Sequence, residues 1–560
     1  MREYSIILKA LFKNKFRFAD DASPRKKYGF TALILICYAA VMAILISGLL
    51  GFKLYADIPS VKLTLYIFGL FTAALVVLIF GIVNLVSTLY LSKDTDFYSM
   101  LPVKSSVVFA AKVSYVYISE AVIVGAILLP LMITFGIISQ AWAWFYVISL
   151  LAIVLVPCLP LVLAAIIAIP VMYFASKLKN RSVVSLIFYI VLFGAFFGVY
   201  IYFIYSATNI TEFDENMLEE ITNSISSLLY VFYPFTALAM AACEIPAYNL
   251  SVGASAAANI AIFVGASLAM LVIALLLAKF MYSQSAKANN QTNNSDAKHG
   301  EYKSSGMTKA LMKREFVGAM RTTQVAFQCY AVAILPTILA IVFGILSMNI
   351  GKLFDAADEV ADAAAVIELT KQVFALCGTS TLAAMFATLG NAAATTFSRE
   401  GIAVASLKTL PCSAKQILKA KVYAWLCVAL PAAIVAVTVL AAFNFDLVTF
   451  LLSLFSLVPL AAAYVLFGAL WDLAAPKLKW VDPLQAIKHN GHVLIGQFIS
   501  MAGGFISLIV VIAALNMNNV DMDVIKAIYW SIIYGTLAVF VVVDIVLMRK
   551  VEHYYNRIEI

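Results

Sequence analysis

The 560-residue chain is 64% hydrophobic and only 12% charged, with a formal net charge of +8. A soluble globular chain is about 45–50% apolar and about 25% charged, so a water-soluble protein is excluded. Its apolar residues fall in long blocks such as Thr31–Gly51, Ile67–Leu91, Phe145–Tyr173 and Ile260–Phe280. A hydrocarbon core about 30 Å thick takes about 20 apolar residues per helix. Only helices or closed barrels satisfy their backbone in lipid, and these runs are too long for barrel strands. The expectation is an all-α polytopic membrane protein.

Met1–Lys27 carries eight basic residues ahead of a run of full spanning length, which is not the pattern of a cleavable signal. Within it, Ile7, Leu8, Leu11 and Phe12 recur at helical spacing with Lys9 and Lys13 between them, followed by Phe16. Such a helix lies in the membrane interface with its basic face toward anionic lipid. Spans are expected near 29–51, 64–91, 114–137, 145–174, 184–206, 256–281, 325–348, 373–396, 422–443, 448–471, 493–515 and 524–548. The stretch Leu228–Cys243 is short and contains Pro234, so it reads as dipping into the outer interface.

With the N-terminus inside, 33 of the 38 Lys and Arg residues fall on the cytoplasmic side and five outside. The positive-inside rule then places both termini in the cytoplasm. The +8 charge is therefore a basic membrane rim and no sign of nucleic-acid binding.

The polar stretch Ser283–Gly306 has a linker's composition, and three features recur on either side of it. Lys9-Ala-Leu-x-Lys13-x-x-Phe16 returns as Lys309-Ala-Leu-x-Lys313-x-x-Phe316. Leu101-Pro102 with Lys112 returns as Leu410-Pro411 with Lys421. Ala175-x-Lys177-Leu-Lys179 returns as Ala475-x-Lys477-Leu-Lys479. The same order at nearly equal spacing predicts two parallel six-span repeats, 1–282 and 307–560, joined by a linker at 283–306 and each preceded by an interfacial helix.

After the second span of each half comes a basic–acidic pair, Lys93-Asp94 or Arg399-Glu400. A helix break at Pro102 or Pro411 follows, with small polar residues suited to an N-cap. The spacing describes a short helix–turn between two spans. The elbow helix, Ser-Arg-Glu-Gly at 398–401, "LKTLPCSAKQILKAK" and "DLAAPKLKW" resemble the permease subunits of type 2 ABC exporters in their fused, double-length bacterial form. In the first half Asp94-Thr95 replaces Glu400-Gly401, and the Trp after Lys-Leu-Lys is missing.

The resemblance implies a permease in the bacterial cytoplasmic membrane, moving a peptide, lipid or amphipathic small molecule outward. It also implies two copies of a cytoplasmic ABC ATPase as partners. ATP and Mg would then be bound by those partners, with no cofactor and no hydrolysis in this chain, which has no Gly-x-x-x-x-Gly-Lys-Ser/Thr. It further implies ATPase-coupling loops containing Asp94, Pro102, Lys104, Arg399, Glu400, Pro411 and Lys415. The elbows at Lys9, Lys13, Phe16, Lys309, Lys313 and Phe316 would support them.

Other readings stay open. An ion-coupled carrier of parallel-repeat architecture would want several intramembrane charges, of which Glu120 is the candidate pathway acid. A membrane enzyme would want clustered His, Asp or Glu, and only His489 and His492 lie close in sequence. A non-transporting sensor or immunity scaffold reuses the same frame. No metal-ligand spacing appears among the seven cysteines.

Overall fold

The structure is a computed structural model. It describes residues 2–16, 59–91, 97–98, 102–138, 143–176, 250–277, 306–321, 323–355, 363–443, 447–478, 480, 486–487, 490–515 and 522–558, with isolated positions between 191 and 242. The described residues are mostly helical, joined by short turns, without a strand among them. Ten helical stretches among them are long and apolar enough to cross a membrane, which fits a multi-pass membrane protein. The span expected at 29–51, and most of those at 184–206 and Leu228–Cys243, fall outside the described residues.

Two compact units divide the chain, the second taking all described elements from 307 onward. The first contains α1 (Arg2–Phe16), α2 (Pro59–Val86), α3 (Ser105–Ile138), α4 (Ala143–Leu155), α5 (Cys158–Ser176) and α6 (Leu250–Leu277). The span expected at 145–174 is broken at Val156-Pro157, because Pro157 has no amide to continue the ladder. α2 packs on both α3 and α5, and α1 lies along the start of α3. There Ile7 and Leu11 are buried with Tyr98, Val108 and Ala111. Those two residues belong to the apolar stripe expected of the elbow.

The second unit opens with α7 (Met307–Arg321) and α8 (Thr323–Tyr330). Next come α9 (Leu335–Asp355), α10 (Ala363–Asn391), the short α11 (Val404–Lys408) and α12 (Ala414–Phe443). α13 (Leu447–Ala474), α14 (Gly491–Leu515), α15 (Met522–Arg549) and the short α16 (Val551–Asn556) complete it. The start of α12 is a reciprocal cap: the Gln416 amide donates to Ser413 Oγ at 3.3 Å, and the Ser413 amide to Gln416 Oε1 at 3.1 Å. The N-cap expected after Pro411 is therefore Ser413.

Between these helices small residues permit backbone contact, which drives association where lipid is as apolar as the side chains. α10 and α13 meet at Gly390 and Gly468. A Cβ at Gly468 would stand 2.8 Å from the Gly390 carbonyl oxygen, and one at Gly390 2.7 Å from that of Tyr464. We expect Gly468→Leu to cost about 1–3 kcal/mol through overpacking, seen as a lower Tm in detergent. Gly535→Ala, at a site with nothing within 4 Å, serves as the control and should leave Tm level or higher. Equal melting of the two variants would show that α10 and α13 do not cross at these glycines.

Candidate functional site

The richest polar cluster lies at the basic end of the second unit, where α7, the turns after α10 and the first turns of α12 converge. Its centre is Glu315, on α7. The carboxylate faces inward because it lies four residues from both Leu311 and Ala319, on the stripe that packs against α12. Glu315 Oε1 accepts from Arg399 Nη2 at 2.7 Å, Thr396 Oγ1 at 2.9 Å and Trp425 Nε1 at 3.3 Å. Its Oε2 accepts from Lys421 Nζ at 2.5 Å.

Lys421 also donates to Glu400 Oε1 at 2.9 Å and to the Thr396 carbonyl at 3.2 Å, so all three ammonium donors are used. Glu400 in turn takes Arg314 Nη2 at 3.0 Å. Arg399 stacks over the Trp425 ring, 4.8 Å from its centroid, and donates to Cys329 Sγ. Side-chain exposure is 4% for Lys421, 7% for Glu315 and 9% for Arg399, so the pairs are out of water and poorly screened. Burial alone would raise the Glu315 pKa. The Lys421 and Arg399 charges, with the hydrogen bonds from Lys421 and Thr396, outweigh it and hold the carboxyl at about 2.

A second buried acid anchors the same segment. Asp472, near the end of α13, accepts the amides of Phe397 at 2.7 Å and Ser398 at 2.9 Å, and the Ser398 hydroxyl. Ser398 Oγ accepts the Lys477 amide and Asn490 Nδ2, and its carbonyl accepts Trp480 Nε1 at 2.8 Å. Residues 393–403 continue α10 as tight turns, broken at Gly401 (φ 56°, ψ −134°). Only glycine adopts that region without strain. The Trp480 ring lies 3.1 Å from where its Cβ would be. Between α7 and this segment is a cavity of about 420 Å³, with Arg314, Thr396, Glu400 and Trp480 in its wall.

Of the residues named from sequence, Arg399 and Glu400 are in this hub. Pro411 lies on the exposed turn beyond it, Lys415 is exposed in the first turn of α12, and Lys309, Lys313 and Phe316 lie on the outward side of α7. In the first unit Lys9, Pro102 and Lys104 are exposed. Asp94 and the side chains of Lys13 and Phe16 fall outside the described residues. Lys112, the positional match of Lys421, is fully buried, with Nζ 5.8 Å from the Tyr98 ring centroid. Glu120 is buried between α2 and α3 and accepts from Asn84 Nδ2; the neighbouring Tyr117 hydroxyl donates instead to the Val154 carbonyl. His492 stacks on Trp471 at 4.6 Å. Asp544 is buried in α15. Glu315 and Asp472 were missed. An acid on the apolar stripe of an otherwise basic helix was the available signal for the first.

The family model that matches the chain is described as ATP-binding cassette and covers residues 30–554. No curated protein and no solved structure matches it. The match corrects four expectations, because it runs through both halves from which they were drawn. The chain is not assigned as a type 2 exporter permease subunit, and export of a peptide, lipid or amphipathic molecule is not its assigned function. The ion-coupled carrier and the sensor scaffold gain no support either. The expectation of no ATPase role and no cofactor in this chain is overturned, since the family's description attaches ATP, and Mg with it, to the chain itself.

The residues present do not fit that pair. The sequence has no Gly-x-x-x-x-Gly-Lys-Ser/Thr loop to cradle phosphates. The described residues include no strand to present such a loop, and no group of three or more His, Cys, Asp or Glu that could hold a metal ion. No step is therefore routed through nucleotide or metal in the hub. With a match spanning residues 30–554, the chain belongs to the ATP-binding cassette family.

Proposed function

We propose that the chain is a membrane-embedded ABC transport protein whose hub links ATP-driven movement at the cytoplasmic face to the membrane helices. The observation that supports this reading is the Glu315–Arg399–Glu400–Lys421 network. It ties an interfacial helix, the segment between two spans and the following span into one piece. A connector without a mechanical task has no use for so many desolvated charges at one joint. Such a rigid joint suits a two-state element that rocks as a unit.

The finer architecture belongs to the same proposal. It comprises twelve spans in two parallel repeats, 1–282 and 307–560, with a linker at 283–306, in a bacterial cytoplasmic membrane and with both termini inside. The partners are the lipid bilayer and two copies of a cytoplasmic ABC ATPase; nucleic acid has no place. In the second half the ATPase would meet the tip formed by Ile402, Leu410, Pro411 and Lys415. There Ile402 is 71% exposed. The 102–104 turn would serve in the first half, and the elbows would hold both tips.

The test uses the full chain in nanodiscs with whatever proteins accompany it, carrying one spin label on the hub at Lys419 and one outside it at Ile499 in α14, both exposed. ATP with Mg and vanadate should shift the distance between the labels, and Glu315→Gln should abolish the shift. Substrate movement driven by an ion gradient without ATP, or no nucleotide response in any preparation, would sink the reading.

A further inference from the structure

The last helix, α16, does not trail away from the bundle. Val551, Tyr555 and Ile558 are buried, in the same apolar cluster as Val404, Ile417 and Leu418. α16 packs on both α12 and α13. Lys408, the last residue of α11, donates from Nζ to the Ile558 carbonyl at 2.6 Å and lies 5.9 Å from the Tyr555 ring centroid. Farther out, Lys415 Nζ stands 3.7 Å from Glu552 Oε1, both exposed. An exposed pair of that kind contributes little. A charged donor on a backbone carbonyl contributes more.

These contacts bear on a segment that cannot hold its own shape. α11 has five residues, far below the length at which an isolated helix persists. The turn after it has two short-range amide bonds, Leu410 to the Leu407 carbonyl at 3.3 Å and Cys412 to the Leu410 carbonyl at 2.7 Å. Val404 and Leu407 anchor its inner side, while Ser406, Thr409, Leu410 and Pro411 face outward. On one side Arg314 of α7 donates to Ser406 Oγ at 3.5 Å; a further constraint comes from residues near 558, across a separation of 150 residues.

We infer that residues 551–558 form a hook that positions the 404–415 segment and joins it to α15. The inference rests on the proposed function in taking that segment as the element that receives movement. The hub couples the segment to α7 and α12. The hook gives it a second connection, since α16 follows α15 after a single residue and α15 packs on α13. Lys408 is a positioning residue: its ammonium grips a main-chain oxygen, so its grip depends on where the hook lies rather than on the side chain at 558.

The test is amide hydrogen exchange on the full chain and on Lys408→Met, Lys408→Arg, Tyr555→Ala and a chain ending at Arg549. Lys408→Met keeps most of the aliphatic stem and removes the donor. Exchange across 404–415 should quicken roughly tenfold in Lys408→Met, the loss of about one charge-assisted bond. Exchange in α10 and α13 and the Tm should hold, and Lys408→Arg should restore protection. The 419/499 label pair then reports nucleotide response in the same variants. Unchanged exchange in Lys408→Met and Tyr555→Ala overturns the hook. So does quickened exchange with a full nucleotide response, because the hook then positions nothing that matters. If the parent itself ignores nucleotide, the proposed function fails and the exchange data alone decide the positioning claim. If the shortened chain does not assemble, the point substitutions carry the decision.

Discussion

Glu315→Gln is expected to be the most damaging single substitution in the second unit, lowering stability by about 3–5 kcal/mol. The amide keeps the shape of the carboxylate, so packing is unchanged and the loss is electrostatic. Lys421 then keeps only Glu400 as a charged partner while it stays 96% out of water, and Arg399 loses its carboxylate. Removing one member of a buried pair costs more than the pair itself contributes, since the survivor remains desolvated. Glu315→Gln/Lys421→Met should therefore melt above Glu315→Gln, although two residues are altered. Thermal unfolding of the two variants and of Lys421→Met alone closes a double-mutant cycle. Strictly additive losses would mean that Glu315 and Lys421 do not interact in the folded protein.

The same group sets an acid limit. Its folded pKa of about 2 lies below the ordinary value of 4.5. A carboxyl depressed in the folded state contributes stability that is fully present above about pH 4.5 and lost as pH falls toward about 2. The parent should lose stability across that window, and Glu315→Gln should lose less of it. Identical acid profiles would place the acid sensitivity elsewhere.

The sequence shows clearly what depends on neighbours along the chain. Apolar runs of about 20 residues placed the spans, and each of the ten membrane-length stretches overlaps one that was expected. Helical spacing marks α1 and the buried side at Ile7 and Leu11, and Pro411 marks a real break. The hub was only half legible. Arg399 and Glu400 stand out as a charged pair, and Lys421 as a recurring position, but nothing local says that Arg399 and Lys421 meet Glu315. The partners are 84 and 106 residues apart for Arg399 and Lys421, and chain separation carries no record of contact. In α7 the run Lys313-Arg314-Glu315 reads as an exposed charged face; burial of its third member follows only from α12 lying over it. Asp472 was hidden for a different reason. It ends a long apolar helix, where a lone acid normally points to water, and its partners are backbone amides that any sequence would supply.

That dependence on backbone makes Asp472 the second critical position. It ties Phe397 and Ser398 to the end of α13 just where α10 gives way to tighter turns, so three donors rely on one carboxylate. Asp472→Leu removes every acceptor and strands two buried amides. Each unsatisfied group costs about 1–3 kcal/mol, for a total on the order of 2–5 kcal/mol. Asp472→Asn keeps one acceptor oxygen but turns an NH2 toward a donor, so an intermediate loss is expected. The effect should spread along one route. Ser398 also holds Lys477, Asn490 and Trp480, and Trp480 in turn packs on Gly401. In Asp472→Asn the amides of 397–401 should lose exchange protection, and the indole of Trp480 should become more accessible to a fluorescence quencher. The amides of α14 should stay protected. Protection lost evenly through the bundle would instead make Asp472 an ordinary core residue. Loss confined to 397–401 and Trp480 would mark it as the pin on which the segment between α10 and α12 turns.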